Sequence, residues 1–329
     1  MKLTMNLKLV RTCMAVLALT CSIASMAQTT FPDKPVRLIL AYSTGTGPDT
    51  VARLIAERLS EKWKQQVIVD DRPGASGFIA IQGLKSAPAD GYNLLVVDNG
   101  HVAVNPHIHK TIPFDSAKDF AGVTTIFKNP FFIATSSSGP VDSVPKLIAM
   151  AKAKPGVLSY GSPFVGSPSH LGGALFEQMT DTKMIHAPFK EMTQMLASVA
   201  GQDVSWFLGS ISSTKPFVES GRMNLLAVAS SKRLAGFEKI PTVEEAGGPK
   251  GYVVEAWVGL IARKGTPEAV IEKISRDVAE VLQSAPMKKR LTEMGIESWP
   301  STPTELDALI ARETISYGEL VKKAKIEPQ

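Results

Sequence analysis

The stretch VRLILAYSTGTGPDTVARLIAERL, residues 36–59, combines an apolar run, a glycine loop and an amphipathic segment. Its first five residues are apolar except for Arg37, as expected of a strand covered on both faces. After the loop, apolar side chains recur at spacings of three and four, which predicts a helix that ends near Lys64. Because a strand, a glycine loop and a helix start in succession often bind an anion, the question is which anion this loop meets.

A dinucleotide is the first alternative for this loop. The GTG at residues 45–47 stands where a dinucleotide-binding fingerprint begins, and two aspartates at 70–71 end the next predicted strand. However, Thr50 replaces the third glycine and Pro48 interrupts the pattern, so we discount this interpretation. The backbone N–H groups at the helix start remain suited to a carboxylate, and we expect Asp49 to stabilise the helix N-terminus.

Residues 1–27 have the pattern of a secretory signal peptide. A basic start is followed by an apolar run over residues 13–23 and by small side chains at Ser25 and Ala27. The run is too short for a membrane span of about 20 residues. We therefore expect cleavage after Ala27 and a mature protein in the periplasm. Lipidation of Cys21 stays open as a minor alternative.

Removal of the signal peptide changes the composition of the chain. Both cysteines are lost, so the mature protein has no disulfide or thiolate metal site. Three positive charges are also lost, which lowers the formal net charge from +5 to +2 and removes the support for a nucleic-acid partner. About 300 residues remain, a length that usually divides into two domains.

Beyond the first helix, short apolar runs alternate with helical patterns. This alternation predicts an α/β protein of two lobes, each a mostly parallel sheet flanked by helices. We expect strands to cross between the lobes near residues 124–132 and 251–262. The first lobe then comprises residues 28–125 and 250–329, and the second comprises residues 126–249.

The segment YGSPFVGSPSH, residues 160–170, forms a second loop of the same kind. It joins a predicted strand to a helix start and is rich in hydroxyl groups that can donate to carboxylate oxygens. Two such loops, one in each lobe, predict a clamp that grips the two ends of a dianion.

Catalytic and metal-binding alternatives have less support. An exported hydrolase that uses Ser167 and His170 is kept as the alternative function, although the chain has no GxSxG motif. His101, His107 and His109 are close in sequence but show no nearby acids at ligand spacing, so we predict no metal site.

Short motifs occur along the whole mature chain. They are FPDKPVRLI at 31–39, DRPGASG at 71–77, PADGY at 88–92, NP at 105–106, KDF at 118–120, YGS at 160–162, GSPSHL at 166–171, PFK at 188–190, PTVEEAG at 241–247 and WVGL at 257–260. In this order they resemble the solute receptors of tripartite tricarboxylate transporters, also called the Bordetella uptake gene family.

The resemblance implies a two-lobed periplasmic binding protein of the type II-like architecture, which is not an enzyme and uses no cofactor. Such a receptor closes on an organic carboxylate and delivers it to a membrane permease of one large and one small subunit, and we expect it to be a monomer. Family ligands are held largely by backbone groups and ordered waters at two loops, which map to residues 42–47 and 162–170. The predicted ligand-binding residues are Tyr42, Ser43, Thr44, Gly45, Thr46, Gly47, Ser76, Gly77, Ser162, Phe164, Gly166, Ser167, Ser169, His170, Lys190 and Gly209.

One departure from the family pattern bears on the ligand. Family members often carry an aspartate where this chain has Gly209, and such an acid would bind the ammonium group of an amino acid. We therefore predict a di- or tricarboxylate without an amino group, with an aromatic or aliphatic body near Phe164 or Trp206. We also expect bulky residues at Gly45 or Gly166 to abolish binding while leaving the fold largely intact.

Overall fold

The computed structural model describes residues 31–163, 165–189, 191–324 and 326–328. The predicted signal peptide, Phe164 and Lys190 lie outside these residues, so the expectations for them stay predictions. The chain from Pro35 onward forms a single unit, to which all of the following elements belong.

Eleven strands and eleven helices make up the described part of this unit. The strands are β1 (Val36–Leu40), β2 (Val67–Asp71), β3 (Asn93–Asp98), β4 (Phe120–Pro130), β5 (Phe132–Ser136), β6 (Ser159–Ser162), β7 (Ile185–Pro188), β8 (Trp206–Gly209), β9 (Met223–Val228), β10 (Glu255–Arg263) and β11 (Glu297–Ser298). The helices are α1 (Gly47–Trp63), α2 (Phe78–Lys85), α3 (Asn105–Ile108), α4 (Ser116–Asp119), α5 (Val144–Ala153), α6 (Pro168–Thr180), α7 (Met192–Ala200), α8 (Ile211–Glu219), α9 (Glu268–Gln283), α10 (Ala285–Glu293) and α11 (Pro303–Lys323).

The strands form two separate sheets, which we call the first and the second sheet. The first has the order β11-β4-β10-β3-β1-β2, and the second has the order β7-β6-β8-β5-β9. The predicted α/β architecture of two sheets flanked by helices is confirmed, and both sheets are mixed. In the first sheet β10 runs antiparallel to both β3 and β4, and in the second sheet β5 runs antiparallel to both β8 and β9.

Each sheet has its own buried apolar core. In the first, Ile39 and Leu95 pack with residues of α2 and α11, whereas in the second, Ile133 and Leu208 pack with residues of α5 and α6. Trp206, which was predicted to rest near the body of the ligand, is completely buried in the second core. Its indole N–H lies 3.3 Å from the sulfur of Met184, so this part of the ligand prediction is wrong.

The chain passes from the first sheet to the second through a single residue, Phe131, between β4 and β5. The Phe131 N–H donates to Val254 O at 3.1 Å, and its carbonyl accepts from Ala229 N–H at 2.7 Å. The Val254 N–H in turn donates to Ala229 O at 2.8 Å, just before β10 returns to the first sheet. Both crossings lie within the segments predicted at 124–132 and 251–262, while the lobe boundaries themselves stay a prediction.

This crossing determines which edges of the two sheets face each other. Strand β4 ends and β5 begins at the crossing, where β5 is paired with the carboxyl end of β8. The carboxyl ends of β1 and β3 lie at the same edge of the first sheet as the end of β4. The loops that follow the parallel strands of both sheets are therefore brought to one place, the usual position of a ligand site in open α/β sheets.

We expect Gly173→Ala to destabilise the protein. A Cβ atom at this position in α6 would lie 2.2 Å from Cε2 of Tyr160, so the helix and β6 would have to move apart. Such overpacking costs about 1–3 kcal/mol, which exceeds the gain of about 1 kcal/mol for alanine over glycine in a helix. Urea-induced unfolding monitored by tryptophan fluorescence measures the change.

Gly47→Ala is the matched control, because no atom lies within 4 Å of a Cβ at that helical position. Its free energy of unfolding should be equal to or higher than that of the wild type. If Gly173→Ala were as stable as Gly47→Ala, the close packing of α6 on β6 would be contradicted.

Candidate functional site

The first glycine loop, residues 41–47, is held mainly by its own hydrogen bonds. Gly45 has a φ of 84°, and its N–H donates to Oδ2 of the buried Asp49 at 2.7 Å. The other carboxylate oxygen of Asp49 pairs with Nε of Arg53 at 2.7 Å. Asp49 thus stabilises the start of α1, as expected. It also accepts the hydrogen bond of the Gly45 N–H, a backbone group that the sequence predicts to bind the ligand.

The hydroxyl groups of this loop are also engaged within the protein. Oγ1 of Thr44 donates to Asp71 at the end of β2 at 2.8 Å, and Arg53 pairs with the same carboxylate at 2.6 Å. Oγ1 of Thr46 donates to Ser43 O at 2.8 Å. The side chains of Thr44 and Thr46 therefore fix the loop, and ligand contacts from these two residues would use backbone groups.

The turn at residues 74–77, which precedes α2, has a strained backbone. All four residues have positive φ, including Ala75 at 48° and Ser76 at 53°, where a side chain is unfavourable. The amide of the buried Asn105 donates to Ser76 O at 2.8 Å and holds the turn in place. The sequence had suggested Ser76 and Gly77 as ligand residues, and the structure adds Asn105 as their support.

A cluster of ionisable groups follows β3. Oδ1 of Asp98 lies 2.7 Å from Nδ1 of His101 and accepts the His101 main-chain N–H at 2.9 Å. Burial opposes ionisation of Asp98, but the charge of His101 and its hydrogen bonds outweigh this effect and lower the pKa of the carboxyl. The ring of Tyr42 contacts His101 edge-on at 5.4 Å between centroids, and burial together with Asp98 raises the pKa of its hydroxyl well above the usual value.

The three histidines that had been considered for a metal have different surroundings. His107 contacts Thr314 O through Nε2 at 2.6 Å, and the ring of His109 packs edge-on against Phe78. Among the described residues, no group of three potential ligand side chains is arranged around a common point.

In the second sheet, the loop before α6 is held by serine and histidine side chains. Ser167 caps α6 by accepting the His170 main-chain N–H at 3.3 Å, and Ser169 donates to Leu208 O at 2.6 Å. Nδ1 of His170 accepts the Gly166 N–H at 2.9 Å. The Ser167 hydroxyl is therefore a helix cap and the His170 ring a loop anchor, which is not the contact of a serine nucleophile with its base.

Behind this loop, two histidine rings stack on each other beside a tyrosine. The rings of His170 and His186 lie 3.7 Å apart at 11°, and the ring centre of Tyr160 lies 5.2 Å from His186 and 6.4 Å from His170. Oγ of the buried Ser162 lies 2.7 Å from Nε2 of His186. Burial lowers the pKa of both histidines from 6.5 to about 4, and the proximity of His186 adds to the effect on His170. Both rings are therefore neutral near pH 7.

A cavity of about 580 Å³ lies between the loops of the two sheets. Its walls are formed by Ala41, Tyr42, Ser76, Asp98, Gly100, His101, Val104, Asn105, Ile108 and His109 from the first sheet and by Val165, Gly166 and Pro168 from the second. An adjoining cavity of about 370 Å³ shares Tyr42 and Asp98, and it is also bordered by Gly45 and Gly47. The two sheets thus each contribute a strand-to-helix loop to the same space.

Nine of the sixteen predicted residues fall into two groups in this arrangement. Those that border the cavities are Tyr42, Gly45, Gly47, Ser76 and Gly166. Those that are buried behind the second loop are Ser162, Ser167, Ser169 and His170. Gly209 ends β8, where a Cβ would lie 2.5 Å from the Phe207 ring. The assignment of ligand contacts to these residues stays a prediction.

The structure corrects the expectation for Gly166. A Cβ at this position would lie 2.4 Å from Cδ1 of Ile108, the last residue of α3. Ile108 packs with Val104, Val321 and the α6 residue Leu171 in a small apolar cluster. A bulky residue at Gly166 would therefore disturb the packing between the two sheets as well as the cavity.

Sequence reasoning missed the residues that follow β3. Asp98 and Ile108 were not singled out, Asn105 was named only as part of the NP motif, and His101 was considered only as a metal ligand. The usable signal was the aspartate three residues before His101 at the end of an apolar run. This aspartate points to the site only because β3 lies next to β1, and the sequence alone does not predict that pairing.

Comparisons with known proteins agree with this architecture. A family model described as "Tripartite tricarboxylate transporter family receptor" matches residues 51–326. A UPF0065 protein of Bordetella bronchiseptica is 31% identical over 96% of this chain and 93% of its own length. Protein BugT of Bordetella pertussis is 28% identical over 91% of this chain and 92% of its own length.

Solved structures show the same fold. The R. palustris protein Rpa4515, solved with adipate, superposes with a TM-score of 0.78 and 33% identity, covering 91% of this chain and 100% of that protein. The periplasmic binding protein BugD superposes with a TM-score of 0.74 and 26% identity over 91% and 100%. These similarities confirm the fold class predicted from the sequence.

His170 and His186 should make the protein less stable as the pH falls from 6.5 towards 4. Burial raises the pKa of Glu313 to about 7, which acts in the opposite direction, so the effect of the histidines is read from the difference between the wild type and a histidine variant. In this range the unfolded chain binds protons at His170 and His186 whereas the folded protein does not, so protons favour unfolding. Each histidine contributes at most about 1.4 kcal/mol per pH unit, and this contribution is absent above 6.5. Urea unfolding between about pH 5 and pH 7.5 measures the slope.

Two variants test the assignment to the stack. His186→Gln removes one titrating ring and should reduce the slope, whereas Tyr160→Phe keeps both histidines and should retain it. An unchanged slope in His186→Gln would contradict the neutral, buried state of this ring.

Proposed function

The chain belongs to the tripartite tricarboxylate transporter receptor family, and from this membership we propose that it is a periplasmic solute receptor for an organic carboxylate. The observation that carries the proposal is the cavity between the two sheets, to which a strand-to-helix loop of each sheet contributes. Helix starts favour negatively charged ligands, and the walls are otherwise largely apolar or neutral.

Binding would be coupled to closure of the two sheets on the ligand. The connection through Phe131 and its hydrogen bonds to Ala229 and Val254 is short enough to act as a hinge. Within the cavity wall, Gly166 of the second loop packs closely against Ile108 of α3. A ligand that touches both walls binds the closed arrangement better than an open one and therefore shifts the population towards it.

We propose a di- or tricarboxylate without an amino group as the ligand. The R. palustris relative solved with adipate supports this class, since it is 33% identical over nearly the whole chain. Gly209 offers no carboxylate to an ammonium group. Asp98 lies in the cavity wall, but it is already paired with His101 and is therefore not free to bind an amine.

The remaining parts of the proposal concern export and delivery. We propose that residues 1–27 direct the chain to the periplasm, are cleaved after Ala27, and leave a monomeric receptor without a cofactor. The family description supports delivery of the solute to a tripartite permease, with one large and one small membrane subunit. No helix within the described residues is long and apolar enough to cross a membrane.

Thermal denaturation with a panel of carboxylates tests the function. Adipate, succinate and glutarate are compared with aspartate and glutamate, which match the last two acids in length but carry an amino group. A ligand present at about 100 times its Kd adds roughly 2.7 kcal/mol to the free energy of unfolding. We expect the largest increase in Tm from an acid without an amino group.

The panel also separates a receptor from the alternative hydrolase. NMR spectra of the ligand before and after incubation should show it unchanged. If aspartate or glutamate gave the largest shift, the ligand class would be wrong, and if no carboxylate raised the Tm, the receptor function itself would be contradicted.

Gly45→Val should weaken binding of the best carboxylate at least tenfold, because the side chain would fill open space at the edge of the cavity. Gly156→Val is the matched control: it has the same left-handed backbone and open surroundings, but it lies in the turn between α5 and β6. Isothermal titration calorimetry (ITC) measures both affinities. Equal affinities in the two variants would show that the first loop does not approach the ligand.

A further inference from the structure

We propose that His101 binds a carboxylate of the ligand through a proton on Nε2 while its Nδ1 proton is held by Asp98, so that ligand binding is coupled to proton uptake. The inference rests on the proposed function and adds to it a specific anchor and a linked proton.

The position of one proton on His101 follows from its contact with Asp98. Oδ1 of Asp98 lies 2.7 Å from Nδ1, while the Asp98 main-chain N–H lies 3.3 Å from the same nitrogen. An ionised carboxylate can only accept a hydrogen bond, so the shorter contact requires the proton on Nδ1. Nε2 then carries either a lone pair, in the neutral ring, or a second proton.

The other edge of the His101 ring lies beside the strained turn at residues 74–77. A Cβ at Gly77 would be 2.1 Å from Cδ2 and 2.7 Å from Nε2, so only glycine permits this approach. His101 and Ser76 both line the cavity, and no described residue accepts a hydrogen bond from Nε2. A ligand in the cavity can therefore reach Nε2 near the start of α2.

The charge in the cavity points to the same residue. Among the described residues of its wall there is no lysine or arginine, and the charged candidates are Asp98, His101 and His109, whereas Lys215 borders only the adjoining cavity. Tyr42 contacts His101 edge-on, and Tyr317 lies close enough to Asp98 to be affected by its charge, but both phenols are neutral near pH 7. Since Asp98 fixes the orientation of His101, this ring is the best placed to compensate a ligand carboxylate.

Proton uptake follows from hydrogen-bond chemistry. A ligand carboxylate accepts but cannot donate, so it binds Nε2 only when that nitrogen is protonated. At a pH where the free ring is neutral, each binding event must take one proton from the solvent. The Kd should then rise by about tenfold for each pH unit in that range.

ITC of the mature protein with adipate tests this coupling. If adipate does not bind, the carboxylate of the panel that gives the largest Tm shift is used. Titration at about pH 7.5 in two buffers of different ionisation enthalpy gives the number of protons exchanged. We expect uptake of up to one proton by the wild type.

The variants assign the proton to His101. His101→Gln should abolish the uptake and weaken binding about 10- to 100-fold at pH 6, the range expected for a charge-assisted hydrogen bond. Asp98→Asn should shift the uptake to lower pH, because it removes the acceptor that stabilises the imidazolium. His107→Gln, whose ring contacts Thr314 O and does not line the cavity, should retain both affinity and uptake.

Two results have distinct meanings. If the wild type binds a carboxylate without proton uptake and His101→Gln binds it equally well, the inference is overturned while the receptor function stands. If no carboxylate of the panel binds at all, the proposed function fails and the inference fails with it.

Discussion

The short passage through Phe131 is the constraint on which the site depends. One residue separates β4 from β5, so the end of one strand and the start of the next are fixed close together. The parallel strands that end near this point then place their loops opposite one another. The cavity is thus a consequence of strand direction and a short connection. The Phe131 N–H donates to Val254 O, and the Phe131 carbonyl accepts from the Ala229 N–H, so these hydrogen bonds keep the two crossings together.

The loops around the cavity are stabilised by the following buried or half-buried groups, of which only Asn105 also lines the cavity. Asp49 and Asp71 hold the first loop, Asn105 holds the strained turn at residues 74–77, and the serines and histidines behind Gly166 hold the loop of the second sheet. Loops fixed in this way lose little conformational freedom when a ligand binds, which favours affinity. The backbone strain at Ala75 and Ser76 persists only because the surroundings maintain it, and such strain is common at functional sites.

Local features of the sequence predicted more of the fold than long-range ones. The first helix ends at Trp63, one residue from the predicted end near Lys64, because apolar periodicity is encoded within the segment. Strand order was not predictable in this way, since the insertion of β10 between β3 and β4 depends on residues far apart in sequence. For the same reason, both glycine loops were identified as parts of the site, whereas the adjoining Asp98–His101 pair was missed.

Histidines on the two sides of the cavity differ in their partners. His170 and His186 stack at 3.7 Å with no carboxylate against either ring, so a proton on one would be repelled by a proton on the other. They therefore stay neutral and serve as rigid, hydrogen-bonding supports for the loop. His101 instead lies with Nδ1 2.7 Å from Oδ1 of Asp98 and forms part of the cavity wall. The proposed ligand anchor and the rings that support the second loop are therefore different residues, so that a ligand bound at His101 leaves the stacked pair intact.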